Sequence, residues 1–193
     1  MAGHARFTAL LDACVIHPVA VIDSLLSAAH LGLYAPKWTT RIEQEWMKSL
    51  EVRTGQPEGA FLRRRDAIRD ACPDWEVPEV AWAQLIPSLV LPDPNDVHVL
   101  AAAIAGHADC IVTGNLKDFP DDVLAPFGIS AIHPDEFLVA QMDLDEIGML
   151  GAFKRQRERL RRPELGPEAI ADALARNGLV ATAQRLRDAV DLI

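Results

Sequence analysis

No stretch of this chain approaches the ~20 consecutive apolar residues needed to cross a bilayer, so nothing in it reads as a membrane span. Met1-Ala2-Gly3-His4 lacks the basic-then-apolar layout of a secretory leader, and the expectation is a cytoplasmic protein with no membrane contact. Cysteine is scarce. Cys14, Cys72 and Cys110 are odd in number, far apart and mostly in apolar surroundings, which argues against a disulfide frame or a zinc site and for reduced, buried thiols. A P-loop, a GxGxxG run, an obvious Cys–His or Ser–His nucleophile pair, an internal repeat and low-complexity tracts are also missing. So is an excess of positive charge: the formal net charge is −9, whereas a general nucleic-acid binder is usually basic. Basic residues do cluster at Arg63-Arg64-Arg65 and along Lys154, Arg155, Arg157, Arg159, Arg161 and Arg162, and such runs are as readily solvated helix faces as binding surfaces.

What is present is enough apolar material for a full core. Half of the 193 residues are hydrophobic, which fits one sizeable domain or one domain with a helical appendage. The most informative stretch is Leu91-Pro92-Asp93-Pro94-Asn95-Asp96-Val97-His98 and the run from Val99 to Phe119. Two proline–aspartate steps break the chain, and Asn95 or Asp96 is placed to cap a helix over Val97 to about His107. Cys110-Ile111-Val112-Thr113, closed by Gly114-Asn115, reads as a short buried strand, with Asp118 just beyond it. In an open α/β sheet ligands bind outside the carboxyl ends of parallel strands, where Asp96 and Asp118 would lie.

Phe7 to Leu11 is apolar enough for a central parallel strand, and Asp12 follows at its end. Pro18 opens a helix through about His30, and Leu33-Tyr34-Ala35 is a second strand candidate. Another helix begins around Trp38 and passes Trp46, with Thr39 or Thr40 as N-cap and Thr40 with Glu43 as a capping box. Glu45 is about 200° further round that helix than Glu43, so the expectation is Glu45 pointing inward and Glu43 serving as cap. An arginine-rich helix follows over 57–71, then a mixed loop and short helix over 77–87, with Trp75 and Trp82 read as packing and not as base-stacking platforms. Ser88 to Leu91 is a third strand candidate, Phe119-Pro120 starts a short helix, Gly128 to Ile132 is a last strand, and Pro134 opens a helix. From about Asp143 only helices are expected, over 145–161 and 167–191, broken at Pro163, Gly166-Pro167 and Asn177-Gly178. Leu165, Ile170, Leu174, Leu179, Ala183, Leu186 and Val190 form their apolar side. The expected organisation is an α/β domain over residues 5–140 and a helical extension over 141–193.

Asp12, Glu45, Asp96 and Asp118 are the candidate catalytic and metal-ligating set, with Asn115 nearby and Asp93 in reserve. Carboxylates crowded on one rim repel each other unless protons or cations neutralise them. All-oxygen sites suit hard cations such as Mg²⁺ or Mn²⁺, and these commonly serve phosphodiester hydrolysis. Any one of these acids could instead be a helix cap, and His98 reads more simply as packing or capping. A small-molecule phosphohydrolase of the haloacid-dehalogenase type also places an Asp after its first strand, but needs a second Asp where this chain has Cys14. A non-catalytic binding module acting through its helical tail is the remaining alternative.

Leu10-Leu11-Asp12-Ala13-Cys14, Trp38-Thr39 to Glu45-Trp46, and above all Asp93 to Ala103 running into Ile111 to Pro120 give a further reading. Over about residues 6–140 the chain resembles PIN-domain nucleases, in particular the VapC-type toxins of bacterial toxin–antitoxin pairs. The resemblance implies a three-layer α/β/α sandwich around a central parallel sheet, Mg²⁺ or Mn²⁺ as cofactor, and endonucleolytic cleavage of RNA. It places the family's acids at Asp12, Glu45, Asp96 and Asp118, with Asn115 standing where many relatives carry an acid. It also implies a small antitoxin protein as partner and, often, a homodimer. The helical tail is similar to the extension of a subgroup of these toxins.

Overall fold

The computed structural model describes residues 6–159 and 166–193. The sequence-predicted features at Arg161, Arg162, Pro163 and Leu165 lie outside the described residues. In chain order the elements are β1 (Thr8–Leu11), α1 (Ala13–Ile16), α2 (Val19–His30), β2 (Ala35–Lys37), α3 (Thr40–Thr54), α4 (Leu62–Ala71), α5 (Glu79–Trp82), α6 (Val97–Ala105), β3 (Cys110–Val112), α7 (Asp121–Leu124), β4 (Ser130–Ile132), α8 (Pro134–Leu144), α9 (Glu146–Arg159), α10 (Pro167–Arg176) and α11 (Val180–Asp188). Short 3₁₀ turns at Ala83–Ser88, Pro94–Asp96, Leu116–Asp118, Ala125–Phe127 and Val190–Leu192 join them. The chain forms two compact units: the described residues through His17 together with Tyr34–His133, and Pro18–Leu33 together with the described part of Pro134–Ile193. The architecture is an α/β sandwich on a parallel sheet with a C-terminal helical extension, as the sequence predicts.

The first unit is built on a four-stranded sheet of order β2-β1-β3-β4, parallel throughout. Ala9, Leu10 and Leu11 are fully buried, as are Ile111 and Val112 of β3, which explains why both strands read as unbroken apolar runs. Helix α6 packs against both. Its Val99 to Ala103 segment is completely buried, and the alanines let the helix approach the sheet closely. Strand β2 starts two residues later than the sequence suggests and contains Pro36, which is tolerated because β2 is an edge strand. Trp38 stacks on Trp75 with ring centroids 5.0 Å apart, and Trp82 is buried too, so Trp75 and Trp82 are packing residues.

Ser88 to Leu91 is not a strand. Pro87 lies in a 3₁₀ turn and Pro92 follows, so the run is flanked by residues that cannot donate to a ladder, and Val90 faces solvent. The arginine-rich helix α4 serves structure. Arg64 lies over the Trp46 ring, 4.9 Å from its centroid, and donates to the Ile16 carbonyl at 2.6 Å at the end of α1. Arg69 lies over Trp75 and pairs with Glu43. Helix α3 ends at Gly55, whose φ of 65° is the left-handed conformation that closes a helix cheaply only in glycine.

In the second unit, α10 and α11 form a hairpin that turns at Asn177-Gly178, with Gly178 at φ 85°. Ile170, Leu174, Leu179, Ala183 and Leu186 are buried, as their spacing predicts, and Ala171 joins them, whereas Val190, in the 3₁₀ turn after α11, is only partly buried. Helix α11 begins after Leu179, which offers no side-chain cap. The cap comes from the first turn of α8 instead. Asp135 accepts from the Ala181 N–H at 2.7 Å, the Thr182 N–H at 2.8 Å and the Thr182 hydroxyl at 2.7 Å. A carboxylate there satisfies otherwise orphaned donors and complements the helix dipole. Replacing Asp135 with alanine is expected to destabilise the helical unit by about 1–2 kcal/mol, measured as a lower denaturant midpoint, with the helical signal of the first unit retained.

Candidate metal centre

Strand order reverses between β1 and β3: the chain runs from β1 out to β2 on one side, then returns to place β3 on the other. The carboxyl ends of two such strands bound the crevice where α/β proteins hold ligands. Register makes this concrete. Leu11 pairs with Val112, so the next residues, Asp12 and Thr113, leave the sheet side by side. The Asp12 N–H still bonds the Val112 carbonyl at 3.1 Å. Its carboxylate accepts from the Ala13 N–H at 2.6 Å and the Thr113 hydroxyl at 2.7 Å, with the Cys14 thiol at 3.1 Å. Asp12 is therefore both the cap of α1 and a buried, fixed negative charge.

Asp96 arrives from the other direction. It occupies the N-cap position of α6, yet its side chain makes no capping bond. The expected capping role of Asn95 or Asp96 falls to Asp93, which accepts from the Asn95 N–H at 2.8 Å and Asn95 Nδ2 at 3.0 Å around the Pro94–Asp96 turn. The Asp96 carboxylate is left free to face its neighbours. Asp93, Asp96 and Asp118 each present an oxygen within 4.8 Å of the others. Asp118 is held by the Asn115 side-chain amide, and the Asn115 N–H in turn bonds the Thr113 hydroxyl at 3.0 Å. Burial, reinforced by the charges of Asp12, Asp93 and Asp118 and opposed by His98, pushes the Asp96 carboxyl up to about 6 from an ordinary 3.8. Loss of water around the charged form is the larger cause, and repulsion among carboxylates gathered at one point adds to it.

Of the four acids singled out in the sequence, Asp96 and Asp118 thus stand in the tight trio, joined by Asp93. Asp12 lies outside that trio but close enough to act on the Asp96 charge. Glu45, expected to point inward, is instead half-exposed and is not part of the trio, while Glu43 is the buried one of the two. Glu45 Oε1 lies 2.8 Å from His98 Nε2 and 3.4 Å from Arg41 Nε. Glu43 does not form the expected capping box. Thr39 caps α3 through the Ile42 N–H, and Glu43 turns into the core, where it accepts from Trp38 Nε1 at 3.0 Å and from Nε and Nη2 of Arg69. A buried carboxylate needs such partners, and they outcompete a local cap. Thr113 and His98 are the site residues that sequence patterns passed over or assigned to packing. The signal for Thr113 was available: it ends β3 as Asp12 ends β1.

The donors at the centre are all carboxylate oxygens, with no sulfur and no imidazole in the trio. That set suits a hard, oxygen-preferring divalent cation. The burial and repulsion that raise Asp96 are costs of its charge that such a cation relieves.

Comparison with known proteins agrees with this geometry. A PIN domain family model matches residues 8–117, more than half of the chain, and a VapC50 C-terminal domain model matches residues 134–188. Over 87 residues the chain is 45% identical to the curated Mycobacterium tuberculosis (strain ATCC 25618 / H37Rv) protein VapC50, whose name provisionally calls it a ribonuclease. That match spans 42% of this chain and 47% of the relative, so the chain covers less than half of the length of the curated protein it matches. No solved structure matches it. With β1, α6 and β3 inside the matched span, the chain belongs to the PIN domain family.

Proposed function

We propose that this protein is a divalent-metal-dependent endoribonuclease that acts as the toxin of a toxin–antitoxin pair. The observation that carries the reading is the convergence of Asp93, Asp96 and Asp118 at the mouth between β1 and β3, with the Asp96 carboxyl raised by burial and by the charges around it. Asp96 and Asp118 would hold the ion with Asp12, and Asp93 is a fourth oxygen donor within reach of the same place. Glu45 is the remaining acid of the catalytic set. Mg²⁺ or Mn²⁺, when bound, supplies positive charge against the phosphodiester and acidifies water.

The chain's own residues supply the frame. Thr113 and the Ala13 N–H fix Asp12, Asn115 fixes Asp118, and the start of α6 fixes Asp96. Rigid placement of charge before the substrate arrives is what makes such a site effective. The net charge of −9 does not help an RNA ligand, but Arg41, paired with Glu45 on α3, and the exposed Lys117 beside Asp118 in sequence are available to it. The substrate is RNA and the partner a small antitoxin protein; both follow from the family resemblance and from the ribonuclease named among the relatives. On this reading residues 5–140 carry the chemistry and residues 141–193 are the extension. The protein works in the cytoplasm, where both RNA and an antitoxin are found.

Replacing Asp96 with asparagine removes the most coupled charge while keeping its shape. Mg²⁺- or Mn²⁺-dependent cleavage of an RNA panel, and growth inhibition on expression, should both be lost. Full activity in the variant, in a preparation free of other nucleases, would count decisively against the nuclease reading. Calorimetry that finds no Mn²⁺ binding dependent on Asp12 or Asp96 would favour a binding module instead.

The Asp96 shift also sets a pH dependence. Between its ordinary value of 3.8 and about 6 the folded chain holds a proton that the unfolded chain has released. Metal-free stability is therefore expected to fall as pH rises through this window and to level off above it. Asp96→Asn should flatten that slope. Adding Mn²⁺ above pH 6 should raise the melting temperature of the wild-type protein and not of the variant.

A further inference from the structure

Helix α6 opens with two polar side chains on its first turn: Asp96 at the N-cap and His98 two residues on. The neighbours of His98 in sequence, Val97, Val99 and Leu100, are buried apolar residues, and the His98 side chain itself is only 1% exposed. Its Nδ1 is buried and has no hydrogen-bonding partner. An unmatched polar atom in the core carries a penalty that leucine at the same position would avoid. Packing against the Trp82 ring, tilted at 49° with centroids 6.1 Å apart, does not need an imidazole either.

What the imidazole alone provides is Nε2, 2.8 Å from Glu45 Oε1. At that separation Nε2 must carry its proton, since a bare nitrogen lone pair would face a carboxylate lone pair. The contact therefore sets the tautomer and leaves Nδ1 as the unmatched atom. Arg41 approaches the same oxygen, Oε1, from the preceding turn of α3. Glu45 Oε2 receives neither of them. A half-exposed glutamate with three rotatable bonds is thus held by one oxygen while the other stays available.

We propose that His98 is a positioning residue that holds Glu45 by Oε1 and presents Oε2 to the metal-dependent reaction. The proposal rests on the nuclease reading but asks a separate question. Asp96 and His98 share one helical turn, so the same element that places a charge at the trio also fixes an acid that does not reach the trio by itself. Partners of this kind, which orient a functional carboxylate, typically change affinity or rate by about 10- to 100-fold when removed.

The test compares the full chain with His98→Leu, His98→Gln, Glu45→Gln and the double variant His98→Leu/Glu45→Gln. Each is assayed on RNA at saturating Mn²⁺, with thermal melts to check folding. His98→Leu should lower kcat by about 10- to 100-fold with little change in KM. His98→Gln, which keeps a donor at the position of Nε2, should restore most of the rate. In the Glu45→Gln background His98→Leu should cost nothing further. A folded His98→Leu protein with wild-type kcat, a folded His98→Gln protein with no rescue, or losses that multiply in the double variant would each overturn the positioning role while leaving the nuclease reading intact. Nitrogen-15 NMR of the histidines reads the contact without activity: His98 should be the Nε2-protonated tautomer, and its Nε2–H signal should move in Glu45→Gln. A ring protonated on Nδ1 alone, or a signal indifferent to Glu45, overturns the proposal. A wild-type chain that cleaves no RNA with any divalent ion removes the nuclease reading and the role of His98 together.

Discussion

The site depends on the parallel pairing of β1 with β3. Because Leu11 stands opposite Val112, the residues that follow must emerge together, and a carboxylate and a hydroxyl find each other across 101 positions of sequence. A slip of one residue would turn Asp12 to the other face of the sheet and separate it from Thr113. The buried apolar runs Ala9 to Leu11 and Cys110 to Val112 prevent that slip, since both faces of each strand must stay out of water. Core packing thus sets the position of a charge.

Electrostatics then works against the fold that hydrophobic burial has built. Three carboxylates within 4.8 Å of one another, with Asp12 close by, raise the free energy of the folded chain at neutral pH. The molecule manages similar charges elsewhere by pairing: Glu43 with Arg69, Asp135 with the start of α11, Arg185 with Asp143 and Glu146. At the trio no lysine or arginine contact relieves the repulsion among the described residues. The contrast separates acids paired with a cation or a helix start from a trio in which Asp93 caps its own turn but no cation answers the charge among the described residues.

Much of this was legible in the chain. Asp12, Asp96 and Asp118 could be placed on one rim because strand ends and a proline-punctuated turn are local signals; β1 and β3 follow from short apolar runs, α2 from its helical spacing and α6 from its start signals and composition. The misreadings have a common cause in distant partners. Glu43 satisfied a local capping rule, but Trp38 and Arg69 draw it inward, and Arg69 is 26 residues away. Ser88 to Leu91 had strand composition but no strand to pair with. Asp93 was legible only as a reserve because its joining to Asp96 depends on a single 3₁₀ turn, and His98 meets Glu45 across 53 residues, beyond any local pattern. The helical tail was readable because its apolar spacing is local, whereas the carboxylate that caps α11 comes from α8.

Pro36 has a consequence for how this chain behaves in company. An edge strand normally offers a row of free amide groups on which a second molecule can continue the sheet. Proline in the middle of a three-residue strand deletes one of those donors and fixes the backbone around it, so a foreign strand would meet an interrupted ladder. Just beyond it, the Trp38 N–H and carbonyl are already taken by Trp75 and Val77. One margin of the sheet is thereby a poor template for intermolecular growth, with Lys37, the last residue of β2, as the charged side chain on that strand.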